Sequence, residues 1–206
     1  MKLFGREGKG QPFDWLVVGL GNPGEKYART RHNVGEEAVR LLADRKGLTL
    51  KGGRDDALVA DARFGDPVDP DRVVLAFPIT YMNESGRAVG ALVRRYRIES
   101  PGQLIVVHDE LDLPPGELKI KAGGGLAGHN GLRSINQHLK SPDFLRVRIG
   151  VGKPDHKDLG KGHVLSRIPR RERGLLDVAV AEAADAVETI IEHGVETAMQ
   201  RFNGKR

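Results

Sequence analysis

The chain of 206 residues has no cysteine, which excludes disulfides, thiolate metal sites and a cysteine nucleophile together. No serine sits in a G-x-S-x-G elbow, so an acyl-enzyme route has no evident nucleophile. The seven histidines are scattered and form no H-x-x-x-H pair, and there is no thiolate, so no metal and no cofactor is expected. No apolar run approaches a membrane span, and the N-terminus lacks the hydrophobic region of a signal peptide. These two absences predict a cytoplasmic protein without a membrane partner. There is also no internal repeat and no linker. The expectation is one domain over residues 14–206, preceded by a flexible tail over 1–13.

What is present is a moderate basic excess, Lys plus Arg 33 against Asp plus Glu 28, distributed unevenly. Residues 105–117 hold Asp109, Glu110, Asp112 and Glu117 without a basic residue. Residues 119–148 hold Lys119, Lys121, Arg133, Lys140, Arg146 and Arg148 against Asp143 alone, and so carry the whole net charge of +5. A clustered positive surface suits a phosphate-rich partner, and it suits a solvated face equally well.

Periodicity predicts strands at Trp15–Leu20, Ala57–Phe64, Arg72–Phe77, Leu104–Val107, Glu117–Lys121 and Leu145–Val151. The last alternates basic and apolar residues and reads as half-exposed, with Arg146 and Arg148 on one side. Helices are predicted at Asn33–Lys46, about Arg87–Arg97, from after Gly131 to about Lys140, and at Arg170–His193, with a short tail helix to Phe202. On the long helix Leu175, Val178, Ala183, Val187 and Ile190 are expected to be buried. Residues 152–162 read as a mobile loop. The alternation of helices and strands gives an α/β class with a mixed, mostly parallel sheet.

The densest stretch runs from Gly19 to Gly35. It follows a buried strand, turns on three glycines and Pro23, and carries Asn22, Tyr27, Arg29, Arg31 and His32 into the helix beyond. Gly19, Gly21 and Gly24 spell the G-x-G-x-x-G of a dinucleotide site. That reading requires the helix to open on the glycines, yet Pro23 removes a facing amide and the helical pattern begins near Asn33. Three further polar clusters follow strands: Tyr81 to Asn83, His108 to Asp112, and His129 to Asn130. Ligands of open α/β sheets bind beyond the carboxyl ends of strands. If these loops share an edge, the remaining economical chemistry is attack by water, with His32 as base, Asp109 as its orienting carboxylate, and asparagine amides as donors. Singly, each residue also has a plain reading: His32 as the approach to a helix, Asp109 in a solvated acidic turn, Asn22 and Asn83 as turn residues. A non-enzymatic RNA-binding module built on the basic segment stays open as well.

Several motifs in register narrow this. Val18-Gly-Leu-Gly-Asn-Pro-Gly24, Thr30-Arg-His-Asn33, Thr80-Tyr-Met-Asn83, His108-Asp-Glu-Leu-Asp-Leu-Pro-Pro-Gly116, Gly123-Gly-Gly-Leu-Ala-Gly-His-Asn-Gly-Leu132 and Arg146-Val-Arg-Ile-Gly-Val-Gly152 occur in this order. Together they strongly resemble the bacterial peptidyl-tRNA hydrolase family over about residues 15–203. The resemblance implies a metal-free, usually monomeric cytoplasmic esterase that cleaves the ester between a peptide and the 3′-terminal ribose of tRNA. It implies His32 as general base, Asp109 as its carboxylate, and Asn22 and Asn83 as amides that position substrate or water. It further implies tRNA contact by Tyr27, Tyr81 and Asn130, with His129 beside them at the peptide channel, and a 5′-phosphate held by Lys121 and Arg148.

Overall fold

Residues 12–154 and 160–204 are described in a computed structural model of the chain. Seven strands form one sheet in the order β2-β3-β4-β1-β5-β7-β6. They are β1 (Trp15–Gly19), β2 (Lys51–Gly52), β3 (Ala57–Phe64), β4 (Asp71–Pro78), β5 (Leu104–Glu110), β6 (Leu118–Ala122) and β7 (Leu145–Gly150). The four central strands, β4, β1, β5 and β7, run parallel, and the outer strands pair antiparallel. The expected α/β single-sheet class therefore holds, and the short β2 is added to it.

Helices cover both faces, as a parallel sheet requires. They are α1 (Val34–Arg45), α2 (Ser85–Arg95), α3 (Asn130–Leu139), α4 (Gly160–Leu165), α5 (Arg170–His193) and α6 (Val195–Asn203). Successive residues of β1 and β5 point to opposite sides and both sides are covered, so β1 and the first four residues of β5, Leu104–Val107, are apolar without a break. Val17, Ile105 and Val107 pack beneath α1, α5 and α6, while Leu16, Val18 and Val106 pack beneath α2 and α3. Of the stripe Val34, Ala38, Leu41 and Leu42 that the spacing predicts for α1, three are buried and Leu41 is partly buried against the same core. Among the described residues no helix is long and apolar enough to cross a membrane.

Several expectations need correction. The tail assigned to 1–13 lies mostly outside the described residues, but Phe13 is buried, stacked edge-on against Tyr96 and hydrogen-bonded to its carbonyl. On α5, Leu175 and Val178 are 56% and 61% exposed. Counting back from Ala183 in helical steps of three and four reaches Ala179 and Leu176, and those two are buried. The loop expected over 152–162 contains the start of α4 at Gly160, and its part at 155–159 lies outside the described residues. β7 is not half-exposed. It lies between β5 and β6, and Arg146 is buried because its guanidinium donates to the carbonyls of Gly123, Gly124 and Gly125.

One close contact sets the geometry of everything at the upper edge. A Cβ placed on Gly35 would fall inside contact distance of the Val107 carbonyl oxygen and lie 2.8 Å from Leu20 N. The first turn of α1 therefore presses directly on the ends of β1 and β5. Gly35→Ala is expected to destabilise the fold by about 1–3 kcal/mol through overpacking, read as a lowered urea midpoint with an unchanged slope. A midpoint equal to the parent's would show that α1 can shift without cost.

Candidate active site

The chain leaves β1, returns through β4 on one side, and crosses to β5 on the other. The ends of β1 and β5 therefore border a topological switch point, with Gly19 opposite Val107. The stretch Gly19 to Gly35 sits above it. α1 opens at Val34 rather than on the glycines, which removes the dinucleotide reading. Instead a Cβ on Gly21 would lie 2.8 Å from Asn33 Nδ2, so that glycine makes room for an asparagine clamp.

The clamp belongs to a single 3-10 turn, Arg31–Asn33, all three residues of which are buried. With three residues per turn, consecutive side chains diverge by about 120°. Asn33 turns toward Asn22: its Oδ1 accepts from Asn22 N at 3.0 Å and its Nδ2 donates to Asn22 O at 2.9 Å. His32 turns toward β5, where its Nδ1 lies 2.8 Å from Asp109 Oδ1. Arg31 turns away to Ser166 and Glu172. Asn33 had no role in the sequence reading, although it closes the Thr30-Arg-His-Asn33 motif.

Asp109 does not occupy a solvated turn. β5 continues through Glu110, which makes Asp109 part of the strand and only 2% exposed. Its Oδ1 also receives His129 Nε2 at 2.9 Å. His129 is the N-cap of α3, and its Nδ1 accepts from Gly131 N and Leu132 N at 3.1 and 3.4 Å. An imidazole that accepts at Nδ1 must carry its proton at Nε2, so His129 donates to Asp109. His32 in turn donates from Nδ1, leaving Nε2 without a protein partner among the described residues, on a ring that lines the cleft.

Burial alone would raise the Asp109 carboxyl, but the charges and hydrogen bonds of His32 and His129 outweigh it and hold the group well below the ordinary carboxylate range. A third imidazole, His108, is fully buried and donates to the Asp109 carbonyl at 2.7 Å. Burial, reinforced by the neighbouring His129, pushes its pKa down to about 3, so it stays neutral beside the carboxylate.

His32, Asp109 and His129 are also the set of metal-type ligands that gathers among the described residues, with donor atoms within 4.8 Å of one another. The donor chemistry does not fit a metal. Ligation through His129 Nε2 would move its proton to Nδ1 and set it against the two backbone N–H groups that cap α3.

Above this cluster lies a cleft of about 630 Å³. Eight of the predicted site residues line it: Asn22, Tyr27, His32, Tyr81, Asn83, Asp109, His129 and Asn130. Asn22 is oriented by Met82 N, which donates to its Oδ1 at 2.8 Å, so Nδ2 is the atom left to donate. Tyr81, Asn83 and Asn130 are exposed at the rim. Met82, Leu111, Val164 and Leu165 give the cleft an apolar side, the last two contributed by α4.

Lys121 and Arg148 lie apart from the cleft lining. The β6–β7 register places Lys121 opposite Arg146 and Lys119 opposite Arg148, so Lys121 and Arg148 are diagonal neighbours on one face. Arg148 is already engaged: its Nε and Nη2 both donate to Glu110 Oε2, at 3.1 and 3.0 Å.

The peptidyl-tRNA hydrolase family model matches residues 16–206. Peptidyl-tRNA hydrolase of Cutibacterium acnes is 49% identical over 196 residues, covering 92% of this chain and 98% of its own. The chain belongs to this family. The peptidyl-tRNA hydrolase of Mycolicibacterium gilvum is likewise 49% identical, over 89% of this chain and 93% of its own. Among solved structures, peptidyl-tRNA hydrolase from Acinetobacter baumannii superposes with a TM-score of 0.85 at 40% identity, covering 96% of this chain and 99% of that one. Family membership accounts for the motifs that the cleft gathers, and residues 1–15 lie outside the family match.

Proposed function

We propose that this chain hydrolyses the ester between a peptide and the 3′-terminal ribose of tRNA, with His32 as general base. The observation that carries the reading is the His32–Asp109 pair at 2.8 Å, at the floor of a cleft rimmed by amides and phenols. Nε2 of His32 takes a proton from water as the water oxygen bonds to the ester carbonyl carbon. The negative charge of Asp109 stabilises the imidazolium formed. The tetrahedral intermediate collapses, the ribose oxygen leaves with the proton from His32, and the products are a peptide acid and free tRNA. Amide N–H groups of Asn22 and Asn83 serve the carbonyl and the developing oxyanion.

Asn22 also gives a basis for rejecting aminoacyl-tRNA with a free amine. Its Oδ1 is held by Met82 N, so it offers an N–H, which a peptide carbonyl accepts and an ammonium group does not. Tyr81, 53% exposed at the rim, provides a stacking face for a base of the 3′ end, with Tyr27 and Asn130 beside it. The deciding experiment is release of the amino acid from N-acetylaminoacyl-tRNA, with and without chelator. Turnover indifferent to chelator, with little action on the unblocked substrate, is expected. No release from the blocked substrate would overturn the reading.

Lys121 and Arg148 supply phosphate affinity without reading sequence, which suits an enzyme for many tRNAs acting as a monomer in the cytoplasm. Because Glu110 already compensates Arg148, Lys121 carries the larger share. Lys121→Ala is expected to flatten the slope of log Kd against log salt by about one, and Arg148→Ala by less. Filter binding of tRNA across several salt concentrations checks this, and parallel slopes for all three proteins would put the phosphate contact elsewhere.

A further inference from the structure

We infer that Arg31 is a positioning residue for this hydrolysis, latching the cleft wall formed by α4 to the turn that carries His32. The inference rests on the function proposed above. Arg31 is 4% exposed, and its guanidinium reaches two partners far away in the chain. Nη1 donates to Ser166 Oγ at 2.7 Å, and Nη2 donates to Glu172 Oε2 at 2.6 Å. Backbone contacts parallel the side chain. Thr30 bridges Arg167, Arg31 N donates to Ser166 O, and Ile168 N donates to Arg29 O. Residues 29–31 and 166–168 thus form a short antiparallel strap. The strap begins one residue after Leu165, which with Val164 lines the cleft. The Ser166 hydroxyl also donates to His163 O at 2.6 Å, so the guanidinium grips the end of α4 through it.

The same 3-10 turn sends His32 to Asp109 and Asn33 to Asn22. A rotation of that turn would move all three side chains together, because three residues span one full turn. Glu172 opens α5, where Arg173 makes a second tie, to Glu37 of α1. Arg31 is the member of this set whose neighbour in sequence is the proposed base. An arginine held by two acceptors in different elements defines a direction, where a single point charge would only define a distance. Its effect on the reaction passes through His32 and the α4 wall.

The test uses Glu172, which neither lines the main cleft nor touches His32 or Asp109. Glu172→Ala is expected to lower kcat on N-acetylaminoacyl-tRNA about tenfold, well short of the roughly hundredfold that a 1 Å misplacement can cost. KM stays within about twofold, the signature of an interaction felt in the transition state. Glu172→Gln, whose amide oxygen still accepts from Nη2, is expected to stay within about threefold of the parent kcat. Arg31→Lys, which reaches only one of the two acceptors, falls between them. Amide exchange of residues 29–33, followed by mass spectrometry, quickens in Glu172→Ala. A folded Glu172→Ala protein with parental kcat, or with parental exchange over 29–33, overturns the latch. A wild-type protein inert on the blocked substrate strikes the proposed function alone, and the exchange rates then decide the latch by themselves.

Discussion

Replacing His32 with alanine is expected to lower kcat by about 10²–10⁴-fold, the usual contribution of a positioned general base, while the affinity for tRNA stays within about twofold. The size of the effect follows from the absence of a substitute among the described residues that line the cleft. His129 is the only other imidazole there, but its Nε2 carries a proton donated to Asp109 and its Nδ1 accepts from two backbone amides. Glu110 accepts both bonds from Arg148. Asp109 keeps one donor, His129, when His32 is lost, so the buried carboxylate is not left bare and the variant folds. Single-turnover cleavage of N-acetylaminoacyl-tRNA measures the loss directly. A rate within tenfold of the parent's would assign the base to another group. The charges and hydrogen bonds that hold Asp109 far below the ordinary carboxylate range keep it charged as the solution is acidified.

Much of this is legible in the sequence. The apolar stripe Val34, Ala38, Leu41 and Leu42, and the unbroken run Leu104–Val107, announced a helix and a central strand because burial imposes those periods. His32 and Asp109 lie 77 residues apart, and they are paired in the sequence by the chemistry expected of loops at strand ends and by the motifs in register. Other features depend on contacts that periodicity does not carry. Asp and Glu disfavour strands, so β5 was expected to stop at Val107; pairing of His108, Asp109 and Glu110 with Arg148, Ile149 and Gly150, and the Arg148–Glu110 contact, carry it three polar residues further. The alternation in β7 suggested water on one side, whereas three glycine carbonyls from a distant loop accept from both Nη atoms of Arg146 and let it be buried. Leu175 and Val178 look like core residues by composition, and only the stripe set by Ala183, Val187 and Ile190 puts them outside. α4 is short and lies in a Lys- and Gly-rich stretch, so nothing local marked it as a cleft wall. The second imidazole on Asp109 was invisible for a different reason: a histidine as N-cap is rare, and its tautomer follows from the cap.

That tautomer changes what Asp109→Asn is expected to do. From the sequence, the substitution would be thought to invert the imidazole of His32 by presenting it with an amide N–H. In the structure two N–H groups converge on Oδ1, one of them fixed by the α3 backbone. An asparagine at this position minimises repulsion by turning its carbonyl oxygen to both donors, so His32 keeps its proton on Nδ1 and Nε2 stays available. What disappears is the negative charge facing the imidazolium in the transition state. A hydrogen bond to an ionised group contributes about 1.5–3 kcal/mol against about 0.5–1.5 for a neutral one, and burial enlarges the difference. The expected loss in kcat is therefore about 10–10³-fold with KM unchanged, smaller than the roughly 10⁴-fold reached when the tautomer inverts as well. Asp109→Ala provides the contrast: it leaves both imidazole N–H groups without an acceptor in a buried site and lowers stability along with rate. Steady-state kinetics and thermal melting of the two variants separate these contributions. If Asp109→Asn turned over at the parental rate, the carboxylate would be an anchor for the two imidazoles, and the charge on the catalytic ring would have to be balanced by the substrate.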